Sequence, residues 1–454
     1  MGLINKDLPN NYDCKICLIG LGYVGLPLAI EFARVKNCKR TGNKINREIL
    51  GFDIDKRRIS QLEDGYDSTL ELSIDDKSFL NKIKYTNNID DVFEADVFIV
   101  TVPTPIDSQK IPDLLPLQSA SKTIAKCLNK AKQNLDKSYK KRKVIIFEST
   151  VYPGATEEIC VPIIEKEANL KRNIEFSYGY SPERINPGDK EHRLTKIKKV
   201  TSGSDEATRL WIDDLYGSII EAGTFSVCNI KTAEAAKVIE NTQRDLNIAL
   251  INELALIFQT MGLNTKEVLD AASTKWNFIK LFPGLVGGHC IGVDPYYLTY
   301  KARQLGYSPN VILSGRKVND SMGLQVAKIL LKEMVKKSIV INASKILIMG
   351  FSFKQNCPDF RNTGVINVYK ELKEFGCEVS VYDPFVDKEK VYEIHKIKMI
   401  DKIPLNFYSA VLIAVGHNSF KDLGIKEIRN YCVEKGVILD LNYIFKKDKD
   451  IIHL

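Results

Sequence analysis

The chain reads as an α/β protein: two Rossmann-like, doubly wound parallel-sheet domains joined by a central helical domain with a long helix. Short apolar runs alternate with amphipathic segments in the first part of the chain and again after about residue 340, the pattern of βα units. Between them, Thr232 to Met261 carries helical periodicity without a proline and stops at Gly262. At 454 residues the chain exceeds what one core can organise. These changes of texture divide it into residues 1–210, 211–338 and 339–454.

Lys15 to Ile19 is the first predicted strand, and the glycine-rich turn after it opens a helix through about Val35. Lys36 to Arg47 is basic and turn-rich, an inserted loop before a second strand at Ile49–Asp53. Ala95 to Val102 is a buried strand stopped by Pro103-Thr104-Pro105. Val144 to Phe147 follows and runs into Glu148-Ser149-Thr150-Val151. The helix from Thr232 would be roughly 45 Å long, too long to lie under one domain, and reads as a bridge between domains or a dimer seam. A second helix is predicted at Ser321–Lys337. Strands then recur at Lys345–Gly350, Glu378–Asp383, Ala410–Val415 and Val437–Leu441, with a helix at Val365–Phe375. Here Gly350-Phe351-Ser352-Phe353-Lys354 replaces a GxGxxG, so this second unit is expected to bind something other than a dinucleotide.

Hydrophobic content of 44% and charged content of 27% are ordinary for a globular protein. The net charge of +8 either favours anionic small molecules or reflects a lysine-rich surface. The run Lys140-Lys141-Arg142-Lys143 lacks interleaved aromatics, which excludes a stacking groove for nucleic acid. The ten cysteines are scattered. Cys14 and Cys17 form a C-x-x-C, but on a strand side chains three apart point to opposite faces. No metal centre is expected, and the thiols suit a reducing cytoplasm. No apolar stretch reaches membrane-span length and no lipidation signal is present, so no membrane partner is expected.

Two motifs carry chemistry. Gly20, Gly22 and Gly25, with Leu21, Tyr23 and Val24 between them, form a dinucleotide fingerprint between a strand and a helix. Asp53, ending the second strand, is placed to bond ribose hydroxyls and repel a 2′-phosphate, which favours NAD over NADP. If Arg40 or Arg47 of the inserted loop folded back, NADP would be tolerated. The other motif is Gly287-Gly288-His289-Cys290-Ile291-Gly292-Val293-Asp294-Pro295. Its cysteine is either an inert buried thiol or a nucleophile with glycines opening the backbone to a ligand and His289 and Asp294 able to influence ionisation. Among the other cysteines only Cys357 has comparable polar neighbours. A hydride acceptor and a thiol in one chain suggest oxidation beyond an aldehyde, through a covalent thioester.

With these motifs the chain resembles the nucleotide-sugar 6-dehydrogenases, the UDP-glucose/UDP-N-acetylmannosamine dehydrogenase family. The resemblance rests on Gly20 through Pro27, Val102-Pro103-Thr104-Pro105, Glu148-Ser149-Thr150-Val151, Ser181-Pro182-Glu183-Arg184, Glu234-Ala235-Ala236-Lys237 with Glu240-Asn241, the Cys290 motif, and Lys354 with Pro358 through Thr363. Lys275 through Phe278 and Pro283 through Leu298 are most similar to the branch that oxidises UDP-N-acetylglucosamine or UDP-N-acetylgalactosamine at C6. UDP-N-acetylmannosamine and UDP-glucose enzymes are the alternatives. The resemblance implies NAD on residues 1–210, with Pro103, Thr104 and Thr150 beside it. It implies the catalytic cysteine and a homodimer or higher oligomer from 211–338, and a UDP-sugar on 339–454, with the active site between the outer domains.

It further implies that Cys290 attacks the C6 aldehyde and that Lys237 and Asn241, an i, i+4 pair on one helix face, stabilise oxyanions. Without that role the pair is a solvated helix face. Asp294 would partner Lys237 or a water, or simply precede a turn at Pro295. Thr150 and Glu183 would position and activate water in hydrolysis; otherwise Glu183 pairs with Arg184 at the surface. Gly287, Arg316, Lys354 and Arg361 would contact the UDP-sugar, although Arg316 and Arg361 each suit a structural ion pair, Arg361 with Asp359. UDP-glucose dehydrogenases carry a second glutamate four residues after the first, where this chain has Pro187. The competing classes are a two-electron hydroxy-acid dehydrogenase, which needs no cysteine, a non-catalytic nucleotide-sugar-binding protein, and an NAD-independent thioester-forming enzyme.

Overall fold

Val97–Val100 and Lys143–Phe147 are buried at every position, without the alternation of a one-sided strand, and both lie inside a sheet covered on two faces. The computed structural model describes residues 7–69, 72–134, 141–185, 193–288, 290–445 and 451–454. These form two compact units, 1–240 with 296–305, and 241–295 with 306–454.

In the first unit, β1 (Lys15–Ile19), β2 (Glu48–Phe52), β3 (Ile83–Thr86), β4 (Val97–Val100), β5 (Lys143–Phe147), β6 (Phe176–Tyr180), β7 (Lys199–Gly203) and β8 (Thr224–Ser226) make one sheet in the order β3-β2-β1-β4-β5-β6-β7-β8. Strands β1 to β6 are parallel, β7 is antiparallel to β6, and β8 is parallel to β7. Ile16 faces Ile49 on one side and Val97 on the other, so chain order reverses at β1, where a doubly wound sheet opens its ligand crevice. The helix Gly25–Arg34 buries Leu26, Leu28, Ala29, Ile30 and Phe32 against this sheet's core.

The inserted loop packs onto its own unit. Arg40 pairs with Asp213 and Asp214 and donates to Thr224 Oγ1, while Arg47 donates to Asn11 O and Ser218 Oγ. Neither guanidinium folds back to Asp53, so the route to NADP considered from sequence is not taken. Arg142 and Lys143 of the basic run are likewise committed. Arg142 bonds Asn173 O and Asp205, and Lys143 is buried with its ammonium on Glu94 O and Asp96.

The long helix spans Ile230–Met261. Asp294–Gln304 is a helix too, so Asp294 opens a helix where a turn was the alternative. Pro295 suits a first helical turn, where no amide is missed, and the carboxylate suits the positive helix end. The next helix begins at Asn310, well before Ser321, and ends at Lys336. Gly315 lies against Leu246 of the long helix, a close approach that breaks the apolar periodicity.

In the second unit, β9 (Lys345–Met349), β10 (Glu378–Tyr382), β11 (Tyr408–Ile413), β12 (Cys432–Asp440) and β13 (Ile451–Ile452) form a parallel sheet ordered β10-β9-β11-β12-β13. Ile346, Ile348 and Leu412 pack with Met322, Val326, Leu330, Val368 and Leu372 of the flanking helices. Among the described residues no helix is long and apolar enough to cross a membrane.

Candidate functional site

At the end of β1 the chain must turn sharply, and Gly20 does so at φ +94°. A Cβ on Gly25 would overlap Gly20 O and Thr101 Oγ1, so the helix can start against the strand only with glycine there. Gly22, by contrast, has open space where a Cβ would stand. Turn, helix start and opening form the cradle that a pyrophosphate needs. Thr101 Oγ1 donates to Gly20 O at 2.7 Å, joining the cradle to the end of β4, beside Pro103 and Thr104. Ser149 Oγ donates to Val102 O at 2.7 Å, which sets Thr150 at the end of the neighbouring β5. Tyr23 and Val24 occupy the turn before the helix.

Asp53 accepts Leu21 N–H at 2.8 Å and Asp55 N–H at 2.9 Å, one on each carboxylate oxygen. Its orientation is fixed beside the cradle, and each oxygen keeps a lone pair for a ribose hydroxyl. Asp53→Asn is expected to weaken NAD about 10- to 100-fold, the loss of a charge-assisted hydrogen bond, and to narrow the preference against NADP. Fluorescence titration with both nucleotides measures this; unchanged affinity for both would contradict it.

Glu183 is buried rather than at the surface, with 6% exposure. Its Oε1 accepts Arg184 and Ile185 N–H at 2.6 and 2.8 Å, and its Oε2 accepts Lys199 Nζ at 2.9 Å. The Arg184 guanidinium goes instead to Glu240, at 2.7 Å, and to Lys198 O. Pro187 lies outside the described residues. Glu234 of the long helix accepts Gly154 and Thr156 N–H at 2.5 and 3.0 Å, tying the segment after Thr150 to that helix. Burial pushes its pKa up to about 7 against those hydrogen bonds.

Lys237 is buried one turn before Asn241 on the long helix. Asn241 Nδ2 donates to Asp294 Oδ2 at 2.6 Å, an amide partner for Asp294 that the sequence reading did not name. Cys290 O accepts Val293 and Asp294 N–H, at 3.1 and 2.8 Å, so the thiol residue sits one turn before the helix that Asp294 opens. All ten cysteines are thiols; Cys290 is half-buried and Cys228 exposed, whereas the other eight, Cys357 included, are buried.

The glycines before Cys290 are also required by packing against their own chain. A Cβ on Gly287 would stand 2.8 Å from Asn362 O, and one on Gly288 2.8 Å from the Phe353 ring. Neighbouring chain fills that space. Asn362 Nδ2 also reaches Gly288 O, at 3.3 Å.

A buried polar chain that the sequence reading missed holds this loop. Asn252 exchanges two hydrogen bonds with Gly284, 3.1 Å to its O and 2.8 Å from its N, and donates to Asn319 Oδ1 at 2.8 Å. Asn319 in turn donates to Asp245 Oδ1 at 2.7 Å. Asn252→Ala is expected to destabilise the protein by about 1–3 kcal/mol, because Gly284 and Asn319 lose buried partners. Denaturant melts check this, and an unchanged midpoint would refute it.

Arg316 belongs to the same network. It is buried, with its guanidinium on Asp245 at 2.5 Å and against Asp320. Arg361 is exposed and bidentate to Asp359, at 2.7 Å for the shortest contact, the ion pair considered from sequence. Lys354 is half-buried beside the Phe353 ring. Gly350 repeats the Gly20 turn at φ +93°, and Asp383 repeats Asp53 by accepting Phe351 and Ser352 N–H. Asp383, however, is fully buried and bonded to His417 Nε2 at 3.0 Å, so its carboxylate is enclosed where a dinucleotide would need it open.

Residues 14–220 match the NAD binding domain of the UDP-glucose/GDP-mannose dehydrogenase family, 231–321 its central domain, and 347–447 its UDP binding domain. The chain is 50% identical to a UDP-N-acetyl-D-glucosamine 6-dehydrogenase of Pseudomonas aeruginosa, over 97% of this chain and 100% of that one. It is 48% identical to the protein of that name from Salmonella typhi, over 97% and 99%. Among solved structures, a UDP-D-ManNAc dehydrogenase of Pyrococcus horikoshii superposes with a TM-score of 0.84 at 29% identity, covering 97% of this chain and 98% of that one. The two sheets, the glycine cradle and the thiol loop therefore have a common explanation: the chain belongs to the UDP-glucose/GDP-mannose dehydrogenase family, as an NAD-dependent nucleotide-sugar dehydrogenase.

Proposed function

We propose that this enzyme oxidises C6 of a UDP-N-acetylhexosamine, with UDP-N-acetylglucosamine the first candidate and UDP-N-acetylgalactosamine its epimeric alternative, to the uronic acid in a four-electron reaction. The observation that carries the reading is Cys290, half-buried one turn before a helix whose first residue bonds Asn241, in a chain that also holds a dinucleotide cradle. Two NAD molecules, bound in turn at Gly20–Gly25 and Asp53, would supply the hydride acceptor, one for each oxidation. The C6 hydroxyl first becomes an aldehyde. Cys290 Sγ then bonds to C6, and Lys237 and Asn241 stabilise the resulting oxyanion. Loss of the second hydride leaves a thioester on Cys290. Water held by Thr150 and deprotonated by Glu183 attacks the carbonyl, the C–S bond breaks, and the leaving thiolate regains that proton. Asp294 orients Asn241. Lys354, Arg361 and the backbone of the Gly287 loop are assigned to the UDP-sugar; Arg316 contributes by supporting that loop's scaffold.

Full-length identity of 48–50% to relatives named for UDP-N-acetylglucosamine, against 29% to the UDP-D-ManNAc enzyme, favours the first substrate. The reading keeps three functional segments, NAD on 1–210, the thiol on 211–338 and UDP on 339–454, in a cytoplasmic protein acting in glycan-precursor synthesis. Leu250, Ile257 and Met261 are exposed at helical spacing on the long helix and support a homodimer or higher oligomer. The test is the initial rate with UDP-N-acetylglucosamine, UDP-N-acetylgalactosamine, UDP-N-acetylmannosamine and UDP-glucose. A higher kcat/KM for either of the last two would overturn the substrate assignment.

A further inference from the structure

Glu183 is one arm of a buried cluster drawn from four elements of the first unit. Lys199 Nζ, at the start of β7, lies 2.7 Å from Glu148 Oε2 at the end of β5 and 2.9 Å from Glu183 Oε2 after β6. Tyr216 OH, from the helix Glu206–Gly217, donates to Glu148 Oε1, and the Lys199 ammonium lies 5.2 Å from the centre of its ring. Side-chain exposure is 3% for Lys199, 0% for Glu148 and 7% for Glu183. Two carboxylates and one ammonium leave a net negative charge in a site almost closed to water. Such an arrangement is costly and adds little to stability over apolar packing. Glu148 also directly precedes Ser149 and Thr150, so the cluster joins the strand end that sets the water-holding threonine to the base that would use the water.

We propose that Glu148, Lys199 and Tyr216 are positioning residues that set the aim and base strength of Glu183 in the hydrolytic step. This rests on the assignment of Glu183 as the base for thioester hydrolysis. Lys199 and the Arg184 and Ile185 amides fix the carboxylate in place. Anionic Glu148 shares the ammonium, so Lys199 withdraws less charge from Glu183 than it would alone. Once Glu148 is neutral, the whole ammonium charge falls on Glu183 and weakens it as a base.

The electrostatics agree. Burial works against charge on Lys199, but Glu148 and Glu183 overcome it and its pKa is raised. Burial raises Glu148 to about 6, with Lys199 and the Tyr216 hydrogen bond opposing and Glu183 adding to the shift. Glu148 is therefore anionic above about pH 6 and neutral below it. Hydrolysis should rise as pH increases through that value.

The experiment mixes holoenzyme with UDP-N-acetylglucosamine and follows the NADH burst, the covalent adduct by intact mass, and adduct decay across pH 5–9. In Glu148→Gln the burst is expected unchanged, while above pH 6 decay slows about tenfold, the effect of one pKa unit on the base, and its rise through pH 6 disappears. Tyr216→Phe keeps the charge but removes a hydrogen bond to it, so the rise should move to higher pH. Glu183→Gln serves as the control for the base. If it accumulates adduct while both cluster variants decay with the parental rate and pH profile, this inference fails and the base assignment survives. If Glu183→Gln itself decays normally, the base assignment fails and takes the inference with it. Equal loss of burst and decay in the cluster variants, without a changed pH profile, would mean a merely structural role and overturn the proposal.

Discussion

Cys290→Ala is expected to lose uronate formation by on the order of 10⁴-fold while binding NAD as the parent does. The substitution removes one sulfur and keeps the local fold, because Val293 and Asp294 N–H bond the Cys290 carbonyl and not its side chain. The helix opened by Asp294 and the Asn241–Asp294 bond should survive, so the loss is chemical. Without the thiol the aldehyde is not captured, and the acyl intermediate that Glu183 would release never forms. Comparison of uronate yield and NAD affinity in parent and variant checks this. Retained turnover would favour a two-electron hydroxy-acid dehydrogenase; weakened NAD binding would point to a damaged fold.

Two glycines of one turn should fail in different ways. Gly25→Ala drives a methyl into Gly20 O and Thr101 Oγ1, backbone and a short bonded side chain that cannot swing aside. A melting temperature lowered by the equivalent of about 1–3 kcal/mol is expected, with NAD affinity falling at least as far because the cradle itself must shift. Gly22→Ala meets nothing within 4 Å and should melt with the parent. Yet its methyl occupies the opening through which a pyrophosphate approaches, so added NAD should no longer raise the melting temperature. Thermal melts of both variants, with and without NAD, separate packing from binding. Parental behaviour of Gly25→Ala would contradict the geometry of the turn.

The doubly wound architecture was legible wherever parallel strands, buried on both faces, appear as continuous apolar runs, as at Val97–Val100 and Lys345–Met349. Strand β6 escaped because Phe176-Ser177-Tyr178-Gly179-Tyr180 mixes small polar residues with aromatics, although every position is buried. Lys199 reads as one more lysine beside Lys196 and Lys198; only the fold shows that its ammonium is enclosed between two carboxylates. Asp245, Asn252 and Asn319 look like solvent-facing helix residues, but helix–helix packing turns them inward into a hydrogen-bonded ladder. Gly287 and Gly288 show the opposite limit. A pair of glycines marks a close approach, and sequence alone does not tell whether a ligand or, as here, Asn362 and Phe353 makes it. The Gly20 turn and the shared helix face of Lys237 and Asn241 were legible because spacing itself expresses their geometry, a strand–turn–helix junction or a helix repeat; the Asn241–Asp294 bond joins residues 53 positions apart and was not.

The most direct measurement is the number of NADH molecules formed per sugar when UDP-N-acetylglucosamine is limiting. Two NADH and one uronic acid per sugar are predicted, since both oxidations precede release from Cys290. One NADH per sugar, with an aldehyde or ketone as product, would contradict the thioester route.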